Sequence, residues 1–194
     1  MQKGNKEIVR VLLPHLATAK DKWGYTPIHW IAECNHDQEE DWLDIMHSIV
    51  AMKDNICPPS DILSVAIRNK NFRIANILAT AFPYLCNVAD TSGHTPLHCL
   101  AGIKHIKDYF LDLLDCLISN MSDSATCVTK GNKYTVLHIA IQSGNFEIAK
   151  ILGDKFPILT GITDAYGQTP LHWLATSRQI KECPVDLLEG LIDI

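Results

Sequence analysis

This sequence predicts an all-α solenoid of helix-turn-helix units, and three observations predict it. The segment Thr169-Pro170-Leu171-His172 recurs as Thr95-Pro96-Leu97-His98 and, with one change, as Thr26-Pro27-Ile28-His29. Each copy sits in a longer match, Asp-x-x-Gly-x-Thr-Pro-(Leu/Ile)-His-x-(Leu/Ile)-Ala, running from Asp21 to Ala32, Asp90 to Ala101 and Asp164 to Ala175. One shift of 74 positions, the separation of His98 and His172, also lays Leu63 to Ile67 on Leu137 to Ile141, Asn71 to Leu78 on Asn145 to Leu152, and Phe82-Pro83 on Phe156-Pro157. Self-similarity at fixed spacing marks stacked supersecondary units, none of which buries its apolar face alone.

The period holds two units of alternating kind. Unit starts fall at Asp21, Ile56, Asp90, Lys130 and Asp164, and a half-unit precedes them, because Gly4 to Val9 parallels Gly144 to Ala149. One continuous array over 1–194 is expected: a partial repeat 1–20, then 21–55, a degenerate 56–89, 90–129, 130–163 and a last repeat 164–194.

Within each unit the elements follow from residue chemistry. Gly24, Gly93 and Gly167 stand in the turn before each first helix, where positive φ costs glycine least. Thr26, Thr95, Thr135 and Thr169 then precede an apolar stretch, as N-caps whose hydroxyl satisfies an orphan amide. Asp61 holds that place in the degenerate unit, and Asp caps equally well. Pro27, Pro96 and Pro170 fit the first helical position, where the missing N–H costs nothing. Ala32, Ala101, Ala140 and Ala175 on the first helices permit close approach. The second helices carry apolar stripes: Ile74, Ile77 and Leu78; Ile148, Ile151 and Leu152; Leu113, Leu114, Leu117 and Ile118; Leu187, Leu188, Leu191 and Ile192. Pro14, Pro83 and Pro157 stop helix continuation after them.

The unit length and the Thr-Pro-Leu-His-x-x-Ala core resemble the ankyrin repeat, whose period is about 33 residues. The resemblance spans nearly all of the chain. It implies a β-turn or hairpin tip and two antiparallel helices per unit, stacked into a curved solenoid. It also implies that His29, His98, His138 and His172 are structural, each bonding to Thr26, Thr95, Thr135 or Thr169 of its own tetrapeptide and to nearby backbone. Ser64 takes the histidine's place in 56–89, which is expected to lack that bond and to be softer.

Composition narrows the functional classes. At 47% hydrophobic and 20% charged residues the chain is a folding one, and its net charge of −5 argues against nucleic acid as the main partner. No run resembles a signal peptide or approaches the roughly 20 apolar residues of a membrane span. Seven scattered cysteines without a Cys-x-x-Cys pair read as reduced thiols in an intracellular, cytoplasmic setting, although a longer parent with an anchor or export signal would change that reading. The histidines are explained by the repeat, so no metal or other cofactor is expected. Cys99 follows His98 directly, but consecutive helical residues do not face each other, so no base-activated nucleophile arises. No phosphate-binding Gly-rich loop, His-Glu-x-x-His or Gly-x-Ser-x-Gly is present. The expectation is a non-enzyme.

What remains is surface. The resemblance implies a protein partner gripped by the turn tips and the exposed side of the first helices along the concave face. By motif position these are Lys22, Trp23 and Tyr25; Thr91, Ser92 and His94; Gly131, Asn132 and Tyr134; Ala165, Tyr166 and Gln168. Trp23, Tyr25, Tyr134 and Tyr166 have two readings, as binding hot spots or as rings packed along the neighbouring turn. Trp30 and Trp173, just after the motif histidine, are expected in the inter-repeat core. Lys130-Gly131-Asn132-Lys133 reads as a solvated turn, with an acidic partner as the alternative. The acidic run from Cys34 to Asp41 before Trp42 reads as a solvated loop and helix start, or a contact for a basic partner. Asn87, three residues before Asp90, stands where some ankyrin repeats carry an asparagine that a hydroxylase modifies. The last unit ends in Leu187, Leu188, Leu191, Ile192 and Ile194, and exposed apolar surface is expected at one or both ends. A protein-binding scaffold is the expected role; a spacer that only sets the distance between other domains is the alternative.

Overall fold

The computed structural model describes residues 19–33, 39–51, 58–104, 110–120, 126–177 and 183–192. The half-unit Gly4 to Val9, Pro14, Cys34 and Cys57 lie outside them. Ten α-helices occur among the described residues: α1 Pro27–Glu33, α2 Glu39–Ala51, α3 Ile62–Arg68, α4 Phe72–Ala81, α5 Pro96–Ala101, α6 Phe110–Ser119, α7 Val136–Gln142, α8 Phe146–Lys155, α9 Pro170–Thr176 and α10 Val185–Ile192. Short 3-10 helices, Pro83–Asn87 and Pro157–Thr160, follow α4 and α8. No strand occurs among the described residues.

The contacts gather into two compact units, residues 1–88 with 108–120, and residues 89–107 with 121–194. In the first, the first helices α1 and α3 pack together, α3 pairs with α4, and α4 is flanked by α2 and α6. Its core holds Ile28, Met46, Ile49, Leu63, Ile67, Leu78 and Leu117, and Phe72 meets Phe110 edge to face at 5.3 Å. In the second, α5, α7 and α9 form a row of first helices, and α8 and α10 pack behind. Leu97, Leu137, Ile141, Ile148, Leu152 and Leu174 fill that core. Leu187 and Leu191, expected to contribute an exposed apolar end, are buried in α10, which packs on α8.

The joints between paired helices explain why the 74-residue shift is so well kept. After α7, Gly144 takes φ 68°, its N–H bonds the Ile141 carbonyl, and the Asn145 N–H reaches back to Ala140, a Schellman closure. After α3 the same closure is made by Lys70 at φ 61°, with Asn71 N–H on the Ala66 carbonyl. Asn71 and Asn145 then cap α4 and α8, their side-chain oxygens accepting from the Ile74 and Ile148 amides at 3.4 Å. Lysine pays a left-handed penalty that glycine does not. Lys70→Gly is therefore expected to stabilise the chain by about 0.5–1 kcal/mol, net of the added freedom of the unfolded chain, read as a rise in the denaturation midpoint. An unchanged or lower midpoint would show that the Lys70 stem makes up for the strain.

Candidate functional site: turn tips and first-helix flanks

The tips are built by the motif aspartate. One carboxylate oxygen of Asp21 accepts from the amides of Trp23 at 2.8 Å and Tyr25 at 2.9 Å. Asp90 does the same for Ser92 and His94, both at 2.9 Å, and Asp164 for Tyr166 at 2.8 Å and Gln168 at 2.9 Å. Each turn closes by the Asp amide bonding the carbonyl four residues on, and by Gly24, Gly93 and Gly167 at φ 86°, 84° and 75°. Burial would raise the Asp164 carboxyl, but the Gln168 and Tyr166 amides, the Trp173 indole and nearby His138 together hold it below its ordinary value.

The tip before α7 differs. Here Thr129, not Lys130, takes the aspartate's part: its amide bonds the Tyr134 carbonyl and its hydroxyl accepts from the Tyr134 amide, both at 2.9 Å. The turn is one residue longer, with Gly131 at φ 81° and Lys133, in the glycine's place, at φ 55°. Successive tips of this unit are tied by backbone: Lys130 N–H bonds the Ser92 carbonyl at 2.8 Å, and Ala165 N–H the Asn132 carbonyl at 2.9 Å.

The motif histidines hold the first helices to these tips. Nδ1 of His29, His98, His138 and His172 accepts the amide N–H of its own Thr, at 2.9, 3.3, 3.2 and 3.3 Å. A backbone amide only donates, so in the neutral ring Nδ1 is bare and the proton sits on Nε2. The threonine hydroxyls, 2.8 to 3.0 Å from the same nitrogens, donate to them. The ring thus plays the part a Glu or Gln plays in a capping box. Nε2–H then reaches the next unit: His138 donates to the Gln168 carbonyl at 3.1 Å and His29 to the Asp61 carboxylate at 3.2 Å. Asp61 was expected to cap α3; instead it makes no cap bond to its own helix and serves His29.

His98 is the exception. Its Nε2 is buried without a partner, and the Tyr134 and Cys127 carbonyls lie near without completing a hydrogen bond to it. Burial, with His94 nearby, pushes its pKa down to about 4. Burial also lowers that of His138, against the Gln168 carbonyl and Asp164.

The expected binding residues divide. Trp23 and Tyr166 stand out at 67% and 75% exposure, and Lys22 lays its ammonium 4.1 Å from the Trp23 ring centre. Thr91, Ser92, Gly131, Asn132, Ala165 and Gln168 are exposed. Tyr25 and Tyr134 are half-buried against rings of the first helices instead of the neighbouring turn: Tyr25 lies 4.8 Å from His29 and 6.0 Å from Trp30, and Tyr134 meets Trp173 edge to face at 4.6 Å. His94 is half-buried, its Nδ1 3.6 Å from Asp90.

Trp30 corrects the expectation of an inter-repeat core, being 52% exposed. The residue after the motif histidine packs on the first helix before its own: Ile139 lies beside Gly102 at the end of α5, and Trp173 sits 5.3 Å from His138. No first helix precedes α1 among the described residues, and Trp30 stands exposed beside Tyr25. Trp173 is half-buried and its indole N–H bonds Asp164 at 3.0 Å. Asn87 ends its 3-10 helix and donates its side-chain amide to the Asn120 carbonyl at 2.8 Å. Most of the Cys34 to Asp41 run lies outside the described residues, and α2 begins at Glu39. Among the described residues no three His, Cys, Asp or Glu side chains gather as metal donors would, and no helix is long and apolar enough to cross a membrane.

A family model described as ankyrin repeats (3 copies) matches residues 63–155 and residues 103–190. A similar protein, the Leucine-rich repeat serine/threonine-protein kinase 1 of Caenorhabditis elegans, is 30% identical over 101 residues, 52% of this chain. The chain spans only 3% of the length of that relative.

Proposed function

The chain belongs to the ankyrin repeat family, and we propose that it is a scaffold that binds a partner protein through its turn tips and the open flanks of its first helices. Ankyrin repeats commonly mediate protein–protein interaction. The observation that carries the finer reading is the pairing of exposed aromatic rings with fixed backbone. Trp23 and Tyr166 project from turns whose amides are already held by Asp21 and Asp164, so little ordering entropy is lost when a partner engages them. No chemistry of its own is part of this proposal, since Nδ1 of each motif histidine is engaged by its own threonine. An intracellular setting is part of the proposal: Cys86, Cys99, Cys116, Cys127 and Cys183 form no disulfide among the described residues.

The test is the double variant Trp23→Ala/Tyr166→Ala. Exposed side chains of this kind change stability by only about 0.5 kcal/mol, so the unfolding midpoint should hardly move. A protein retained by the parent chain should bind at least about 30-fold more weakly if even one of the rings contributes as a hot spot does. Retention of every captured protein at unchanged affinity would sink the scaffold reading and favour the spacer.

A further inference from the structure

The tip at 129–134 departs from its neighbours in charge as well as in length. In the tips at 90–94 and 164–168 the chain's own carboxylate holds the amide two residues on, Asp90 that of Ser92 at 2.9 Å and Asp164 that of Tyr166 at 2.8 Å. At 129–134 Thr129 stands in the aspartate's place, and its hydroxyl accepts from Tyr134 instead. The Gly131 N–H, two residues on, is exposed and has no acceptor among the described residues.

Two cations frame that amide. Lys130 and Lys133 are exposed, and neither pairs with a carboxylate among the described residues. The acids of the neighbouring tips are turned inward: Asp164 is buried against the Tyr166 and Gln168 amides and the Trp173 indole, and Asp90 is half-buried against the Ser92 and His94 amides. Lys133 is also held at φ 55°, where the other three tips have glycine. A left-handed lysine is strained, and strain of this kind gathers at binding sites. The adjoining tip adds an aromatic surface, since the Ala165 amide bonds the Asn132 carbonyl at 2.9 Å and Tyr166 follows it at 75% exposure.

We propose, resting on the scaffold reading and narrowing its partner, that this tip is the docking site for an acidic segment of the partner protein. One carboxylate of the segment accepts the Gly131 N–H, taking the part that Asp90 and Asp164 play in their own tips. A neighbouring carboxylate faces Lys130 and Lys133, and an apolar residue beside them lies on the Tyr166 ring. Two lysines on a chain of net charge −5 suit a short acidic stretch, not the long phosphate track of a nucleic acid.

The probe is a capped peptide of Glu-Glu-Leu repeats, titrated into the isotope-labelled chain and followed by its amide signals. Gly131, Asn132, Lys133 and Tyr166 should move most, the Gly131 proton downfield, and a peptide with Lys in place of Glu should move none of them. Raising salt from about 0.1 M to about 1 M shortens the screening length from about 10 Å to about 3 Å and should weaken binding at least about threefold. Lys133→Gly should raise the urea midpoint, because the strain goes, while weakening the peptide about twofold. With Lys130→Gln added, the loss should exceed about threefold. An unmoved Gly131 signal at millimolar peptide, binding indifferent to both substitutions, or tighter binding of a nucleic-acid oligomer at this tip overturns the proposal. A captured protein that holds to the lysine variant unchanged but is lost with Trp23→Ala/Tyr166→Ala also overturns it and leaves the scaffold reading standing; no effect of either variant removes both.

Discussion

Gly93→Ala is expected to lower the stability of the chain by about 3 kcal/mol, the combined cost of a left-handed alanine and of overpacking. The site has φ 84°, and an alanine Cβ there would stand 2.7 Å from the Lys130 amide nitrogen and 3.2 Å from the Thr129 Cα. Both are backbone atoms, so no side chain swings aside. Relief requires the tips at 90–94 and 129–134 to separate, which breaks the 2.8 Å bond from Lys130 N–H to the Ser92 carbonyl. Gly24 and Gly167 provide the internal control. They share the positive φ but an added Cβ meets nothing within 4 Å, so alanine at either should cost only the conformational share, about 1 kcal/mol. Urea midpoints of the three variants check this. Equal losses at all three would mean that the contact between tips contributes nothing and that φ alone sets the cost.

Gly93 also shows how far residue patterns reach. The motif glycine, the threonine cap and the proline are local devices, and their conformations followed from residue type. The threonine–histidine bond came from the family resemblance, and all four copies make it. The aspartate hub is equally local, since an Asp side chain bonds its own backbone two residues on in such turns. The tip before α7 starts at Thr129, one residue ahead of the Lys130 that the spacing to His138 implies, because its turn holds an extra residue. Gly131, standing two places early, was the visible sign. Asn71 and Asn145 likewise had the residue type and position of caps. What residue patterns did not carry were groups whose partner lies in another repeat. Asp61 had the chemistry of a cap but serves His29, 32 positions away. Trp30 and Trp173 occupy one motif position, yet one is exposed and the other half-buried; among the described residues only α9 of the two helices has a first helix lying before it. Trp23 and Tyr166 differ from Tyr25 and Tyr134 in exposure because the residue before the cap threonine meets rings of the first helices, His29 for Tyr25 and Trp173 for Tyr134, whereas no aromatic contact of the two apex rings occurs among the described residues.

Acid should destabilise this chain through the buried histidines His98 and His138, and His98 should dominate. Its pKa is about 4 in the folded chain against 6.5 for the free side chain. Between those values the unfolded chain binds the proton and the folded chain does not, so stability rises with pH across the window. Going down, the loss begins near pH 6.5, accumulates to about 3 kcal/mol at pH 4, and levels off within about one pH unit below it. The lowered pKa of His138 acts in the same direction. The geometry says why protonation is costly. A proton on Nδ1 would face the Thr95 amide, itself a donor, and turn the capping interaction repulsive, while Nε2–H already lacks an acceptor. His98→Gln separates titration from packing, because a glutamine oxygen reaches back to the cap amide as in an ordinary capping box but takes up no proton in this range. The variant should be less stable than the parent at pH 7.5, yet its urea midpoint should change less between pH 6.5 and 4, with the proton uptake on unfolding smaller by about one. If parent and variant lose stability in parallel over that window, His98 is not the group that titrates.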